Sequence, residues 1–209
     1  LNADEGSFDL MVAHRLEPEI YNFRSLAFFS KAVERVGEES YPIHIKLDTG
    51  MHRLGFMEGE LDMLTETLGE TPSVKVATIF SHLNCSDMPQ EDRYTREQIA
   101  RFDRMSGRLA AALPYPVLRH TANSAAIERF PEAQFDMCRL GLGLYGFGFE
   151  HNDELKPVST LKSRIVQLKH LSAGEAVGYG RAGKLTRDSV TATVPMGYAD
   201  GLDRHLGCG

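Results

Sequence analysis

Four short stretches of this chain carry side chains that could do chemistry together: Lys46, Asp48 and Arg53; His82 and Asn84; His120, Asn123 and Ser124; and Arg139 with Gly141. Cations, imidazoles, amides and a hydroxyl suit the binding of a small anionic ligand and the movement of protons beside it. Ser124 opens a helical stretch directly after a strand, and Gly141 lies in a Gly-x-Gly run. Free backbone N–H groups at a helix start and at glycines favour a phosphate. Neither a Walker loop nor a dinucleotide fingerprint is read here. Taken singly, Lys46 or Arg53 reads as a solvated charge and His82 as a hydrogen-bonded core histidine. The set as a whole needs another explanation.

That explanation lies in the elements that carry these residues. Residues 22–36 put Leu26, Phe29, Val33 and Val36 on one helical face, with Asn22 as N-cap and Gly37 as the stop. In YPIHIKLD (41–48), Ile43, Ile45 and Leu47 alternate with His44, Lys46 and Asp48, the period of a strand. Residues 60–69 read as a short helix. Residues 74–83 read as a strand apolar on both faces, hence buried on both. A long helix over 92–113 carries Ile99, Phe102, Leu109 and Leu113 on one side. VLRHT (117–121) and FDMCRLGL (135–142) read as further strands around the short helix SAAIERF, and LEPEIY (16–21) as an earlier one.

This β-α alternation with short connections implies parallel strands and crossover helices. The expected fold class is α/β: a partial (β/α)8 barrel over residues 1–150, then the start of a mainly-β domain over 151–209, where TLKSRIVQLKHL and DSVTATVP read as strands broken by Gly178, Gly180 and Gly183. In such a barrel chemistry sits at the C-terminal ends of the strands. The four polar sets above fall at four successive strand ends.

Composition excludes several classes. A formal net charge of -6 argues against affinity for nucleic acid. No apolar run is long enough for a membrane span. The N-terminal LNADEGSFDL lacks the basic start and apolar centre of a signal peptide. Cys85, Cys138 and Cys208 are too few and too scattered for a disulfide framework or a zinc site, so a reducing cytoplasm is expected, with no metal.

The motifs KLDTGMHRLGF (46–56), SHLNCSD (81–87), RHTANSAA (119–126), DMCRLGLGLYGF (136–147), VGYGRAG (177–183) and VPMGYADG (194–201) occur in the order found in alanine racemases, and the chain resembles that family along its length. The resemblance implies the cofactor pyridoxal 5'-phosphate and the interconversion of L- and D-alanine, which supplies D-alanine for peptidoglycan. Arg139 would face the pyridine nitrogen. Asn123, Ser124 and the N–H groups of Gly141 and Leu142 would hold the phosphate. His82 would lie beside the ring, bonded to Arg139. Arg53 would approach the substrate carboxylate, and Lys46 falls at a position often carbamylated in the family. Tyr198 would be one of two acid–base groups, reaching the active site of a partner subunit in a homodimer, and Tyr179 would lie near the entrance. In a chain Arg139–His82–Tyr198 the histidine would accept the phenol's hydrogen bond.

There are departures. The family's first-strand motif with the cofactor lysine is missing, as are two later motifs, so the chain reads as a fragment that would not racemise alanine alone. His52 stands where the family often has glycine or asparagine. Alternatives are a serine or broad-specificity racemase of the same family, a non-catalytic barrel that binds pyridoxal phosphate, and a barrel decarboxylase. The trailing GYADG (197–201) argues against the second, and the lack of a cysteine-centred motif against the third.

Overall fold

The computed structural model describes residues 5–150 and 152–206; residues 1–4, 151 and 207–209, Cys208 among them, lie outside the description. Two compact units result, Leu1–Val158 and Ser159–Gly209. In the first, α1 (Phe8–Ala13), β1 (Glu19–Ile20), α2 (Phe23–Arg35), β2 (Tyr41–Lys46), α3 (Leu61–Gly69), β3 (Val74–Phe80), α4 (Asp92–Ala112), β4 (Leu118–His120) and α5 (Ser124–Arg129) follow in that order. The strands form one parallel sheet, β1-β2-β3-β4, a run of the (β/α) repeat of a barrel.

Each element arises from its local sequence. Asn22 accepts from the N–H of Ser25 at 2.7 Å while Ser25 reaches back to Asn22, a reciprocal cap that starts α2. Gly37 ends it in the left-handed region at φ +71°. Leu26, Phe29 and Val33 are buried, but Val36 is 58% exposed, because it follows the last helical turn and has left the apolar stripe. On α4 the buried side is Ile99, Phe102, Met105 and Leu109.

The core lies between the sheet and its helices. Phe29 is fully buried, edge-on to Phe8 (5.5 Å) and to Tyr41 (5.4 Å). Tyr41, Ile43 and Ile45 of β2 and Val74, Val76 and Ile79 of β3 share this cluster. The last two reveal an irregularity. Ile43 pairs with Val76, yet His44 pairs with Thr78, so Ala77 is an extra residue in β3. Such a bulge re-aims the side chains beyond it. Before it the even-numbered residues of β3 face the helices; after it Ile79 does, and Thr78 and Phe80 turn to the other face.

Two expected strands are not formed as read. Phe135–Leu142 has no strand: the N–H groups of Asp136 and Arg139 bond Arg119 and Ala122 carbonyls singly, and the Asp136 carboxylate takes the N–H of Arg119 that a ladder would use. In the second unit only Gln167–Leu171 (β5) of the 160–171 run is a strand, antiparallel to β8 (Ser189–Thr193). Ala176–Val177 (β6) and Gly183–Lys184 (β7) pair antiparallel. Gly178 and Gly180 have φ of +84° and +63°, whereas Gly183 starts a strand instead of breaking one.

Truncating Phe29 removes a ring from the centre of the first core, a change that costs about 3–5 kcal/mol. Phe29→Ala in the full-length protein is expected to lower the urea midpoint accordingly. A loss below about 1 kcal/mol, within the range of surface substitutions, would show that the Phe8–Phe29–Tyr41 cluster does not anchor α2.

Candidate active site

The end of β2 carries Lys46, buried, with Nζ 2.7 Å from the Glu19 carboxylate on β1 and 5.4 Å from the centre of the Phe80 ring. Asp48, also buried, turns the next loop: its Oδ1 accepts from the N–H groups of Gly50 (2.9 Å) and His52 (3.0 Å). Asp48 therefore builds the loop. His52 sits at φ +52°, in the left-handed region that glycine and asparagine enter at least cost. Arg53, three residues before Phe56, is exposed.

The ends of β3 and β4 hold Arg139. Its Nη2 donates to the carbonyl of Ser81 at 2.7 Å and, at 3.4 Å, to the Thr121 carbonyl and His82 Nδ1. Its Nη1 donates to His120 Nδ1 at 2.5 Å and to the His120 carbonyl at 3.4 Å. His120 in turn stacks on Phe80, 5.2 Å between ring centres and 4° from parallel, and the guanidinium carbon lies 5.3 Å from the centre of the same ring. Arginine is a donor only. Both histidines must therefore accept at Nδ1, and in neutral form both carry their proton on Nε2. Burial, then the charge of Arg139, pushes His120 down to about 4. Burial also lowers His82, helped by the charges of Arg139, Arg53 and Lys46. Burial lowers Arg139 too, against the charge of Glu19, which raises it.

A cavity of about 470 Å³ opens beside this group, and His82, Asn123, Ser124, Arg139, Gly141 and Leu142 all line it. Arg53 acts on His82 through its charge but is not among the lining residues; Asn84 is. Asn123 starts α5, accepting from Ala126 N–H at 3.1 Å and from Ser86 Oγ at 2.8 Å. Ser124 Oγ accepts from the N–H of Gly141 (2.8 Å) and of Gly143 (3.1 Å). In the same turn Gly146 sits at φ +88°, where a Cβ would collide with the Lys156 carbonyl oxygen, so this position requires its glycine. Contrary to the expectation that the chain lacks a dinucleotide fingerprint, Gly141, Gly143 and Gly146 do have the G-x-G-x-x-G spacing. The run enters a 3-10 turn, Leu142–Tyr145, and not the helix of a dinucleotide-binding βαβ unit, so it builds no such loop.

The sheet thus brings together His82, Asn123, Ser124, Arg139, Gly141 and Leu142, with Lys46 on the neighbouring strand. Tyr198 and Tyr179 belong to the second unit. Tyr198 is 68% exposed, opens a 3-10 turn capped by Asp200 onto the Gly197 N–H (2.9 Å), and has Arg204 over its ring at 4.2 Å. Tyr179 is fully exposed. Thr78 bonds both His120 and His44, and neither Thr78 nor His44 was singled out as a site residue from sequence. Among the described residues, no group of three or more His, Cys, Asp or Glu could hold a metal, and no helix is long and apolar enough to cross a membrane.

Residues 1–148 match the family model described as alanine racemase, N-terminal domain, and residues 158–209 match alanine racemase, C-terminal domain. The alanine racemase of Sorangium cellulosum is 36% identical over 201 residues, covering 95% of this chain and 53% of that protein. The chain spans about half the length of the curated relatives it matches. Among solved structures, alanine racemase from Streptomyces coelicolor A3(2) superposes with a TM-score of 0.89 at 28% identity, covering 98% of this chain and 56% of that one. Alanine racemase from Bartonella henselae with covalently bound pyridoxal phosphate gives 0.77 at 26% identity, covering 98% and 55%.

The buried imidazoles set a pH dependence of stability. His120 binds its proton at about 4 when folded and near 6.5 when unfolded, so between those values the unfolded state holds more protons. Stability should fall as pH drops from about 6.5 toward about 4, by on the order of 3 kcal/mol from this group, with His82 adding in the same direction. Urea unfolding of the full-length protein across that range checks it. His120→Gln should flatten the slope, and an unchanged slope would mean that His120 is not held neutral.

Proposed function

The chain belongs to the alanine racemase family, and we propose that the whole protein interconverts L- and D-alanine with pyridoxal 5'-phosphate as cofactor. The observation that carries this reading is that Arg139, a cation that can only donate, lines one cavity with Ser124 and Gly141. The residues present fit the cofactor. The N–H of Gly141, which lines the cavity, already donates to the Ser124 hydroxyl, and a phosphate oxygen is a stronger acceptor for the same donor. Ser124 and the N–H groups of Gly141 and Leu142 would hold the phosphate, with Asn123 fixing the start of α5. Arg139 would face the pyridine nitrogen.

When bound, pyridoxal phosphate supplies the electron sink for the pair left behind when the α-proton is removed. The side chains set the strength of that sink. Arg139 would donate a hydrogen bond and keep its proton, leaving the ring nitrogen unprotonated and suppressing side reactions that need a stronger sink. Arg53 would hold the substrate carboxylate, steadied by Lys46 once carbamylation had turned that ammonium into an anion, and Tyr179 would stand near the entrance.

Racemisation needs a proton removed from one face and returned on the other, and Tyr198 would serve one face. Ionising a phenol with a pKa near 10 at pH 7 costs on the order of 4 kcal/mol. His82 would offset part of that. Because Nδ1 accepts from Arg139, Nε2 carries the proton, so His82 donates to the phenolate oxygen. This replaces the expected acceptor role, which the arginine's lack of an acceptor rules out for a neutral ring. Tyr198 would come from the partner subunit of a two-fold homodimer. The reaction would run in the cytoplasm on free alanine and feed peptidoglycan synthesis.

The test is racemisation in deuterated water by the full-length protein loaded with pyridoxal phosphate, from L- and from D-alanine, beside serine and lysine. Alanine is expected to be the preferred substrate. Net racemisation by Tyr198→Phe should fall alike in both directions, because the two enantiomers are equal in free energy, but α-deuterium exchange should be lost from one enantiomer far more than from the other. Exchange lost equally from both would remove Tyr198 as a one-face base, preference for serine would make the enzyme a broader racemase, and no cofactor-dependent racemisation would overturn the reading.

A further inference from the structure

Behind Arg139 a line of hydrogen bonds crosses three strands to a solvent-facing carboxylate. His120 Nε2 lies 3.0 Å from Thr78 Oγ1 on β3. Thr78 Oγ1 lies 2.8 Å from His44 Nδ1 on β2, and His44 Nε2 lies 2.9 Å from the Glu17 carboxylate. His120 and Thr78 are buried, whereas the His44 and Glu17 side chains are 28% and 46% exposed, so solvent protons reach that end. The bulge builds the middle link. In unbroken register the partner of His44 would be Ala77; the bulge skips that residue, so Thr78 stands opposite His44 and shares a face with His120.

The line has a direction. Arg139 at one end has only donors, and the Glu17 carboxylate at the other has only acceptors. Every group between must accept on the Arg139 side and donate on the Glu17 side. His120 accepts at Nδ1 and donates from Nε2 to Thr78; the Thr78 hydroxyl donates to His44 Nδ1; His44 donates from Nε2 to Glu17. Aligned hydrogen bonds polarise one another, so each link makes the last acceptor better. A proton added to His44 breaks the order. Nδ1–H would then point at a hydroxyl oxygen already receiving the proton of His120, and the hydroxyl hydrogen would lose its acceptor. The charged groups around His44 are Glu17 from the segment before β1, Glu19 on β1, which pairs with Lys46, and His120 across Thr78.

We propose that His44 and Thr78 are positioning residues, which hold His120 as a one-way acceptor for Arg139 and make the anchoring of that guanidinium depend on a neutral His44. The consequence for catalysis rests on the function proposed above; the hydrogen-bond order does not, and is measurable without cofactor.

The experiment is nitrogen-15 solid-state NMR of the full-length apoprotein with labelled histidine, the signals of His44 and His120 assigned by their loss in His44→Phe and His120→Gln. As pH falls through the titration of His44, the His120 Nδ1 signal is expected to step at the same midpoint. Thr78→Ser should keep the step, and Thr78→Val should lose most of it. A step of undiminished size in Thr78→Val, or one that persists in His44→Phe, would overturn the proposal, as would no step in the unaltered protein. If Thr78→Val does not fold, the His44→Phe comparison decides. A correct step in a protein that fails to take up pyridoxal phosphate would sink the proposed function and leave this inference standing.

Discussion

A guanidinium cannot be taken out of water unless its donors find acceptors, and Arg139 meets that condition only where two parallel strands end together. The carbonyls of Ser81, His120 and Thr121 lie at the ends of β3 and β4, where the ladder runs out. Arg139 takes all three and so ties the two strand ends to the segment beyond α5. The flat face of Phe80 backs both the guanidinium and the His120 ring. Shift the register of β3 by one residue and Phe80, Thr78 and the Ser81 carbonyl all leave these positions. The bulge at Ala77 is therefore as much a part of the site as the side chains it aims.

The arginine then dictates the state of its neighbours. A permanent donor beside two imidazoles turns both Nδ1 atoms into acceptors and disfavours a second positive charge on either ring. Two neutral histidines, one cation and the Ser124–glycine turn are the groups that the proposed cofactor would need, and a cation that only donates would leave its ring nitrogen without a proton. That restraint on the ring nitrogen fits a reaction in which a proton is exchanged and nothing else about the substrate changes.

Much of this could be read in the amino-acid order. Ile43, Ile45 and Leu47 alternate with His44, Lys46 and Asp48, and the polar set does point away from the helices. The Asn22 cap and the position of Ser124 at the start of α5 were legible because capping chemistry is local. The features that escaped are non-local. VKVATIF is apolar on both faces, so nothing in its pattern marks Ala77 as extra or Thr78 as inward-facing. Phe135–Leu142 has the composition of a strand, but its partner edge is taken up by the Asp136 carboxylate and by Arg139 itself. Val190 and Val194 alternate as a buried face would, yet are 57% and 41% exposed in their unit.

Arg139 is held as a fixed donor, and in the proposed function it would meet the cofactor ring nitrogen without protonating it. The nitrogen-15 shift of pyridoxal phosphate labelled at that atom, bound to the full-length protein, reads this directly. A hydrogen-bonded but unprotonated pyridine nitrogen across neutral pH, moved by Arg139→Glu, is the expected result. A pyridinium signal in the unaltered protein, or one indifferent to Arg139→Glu, would contradict it.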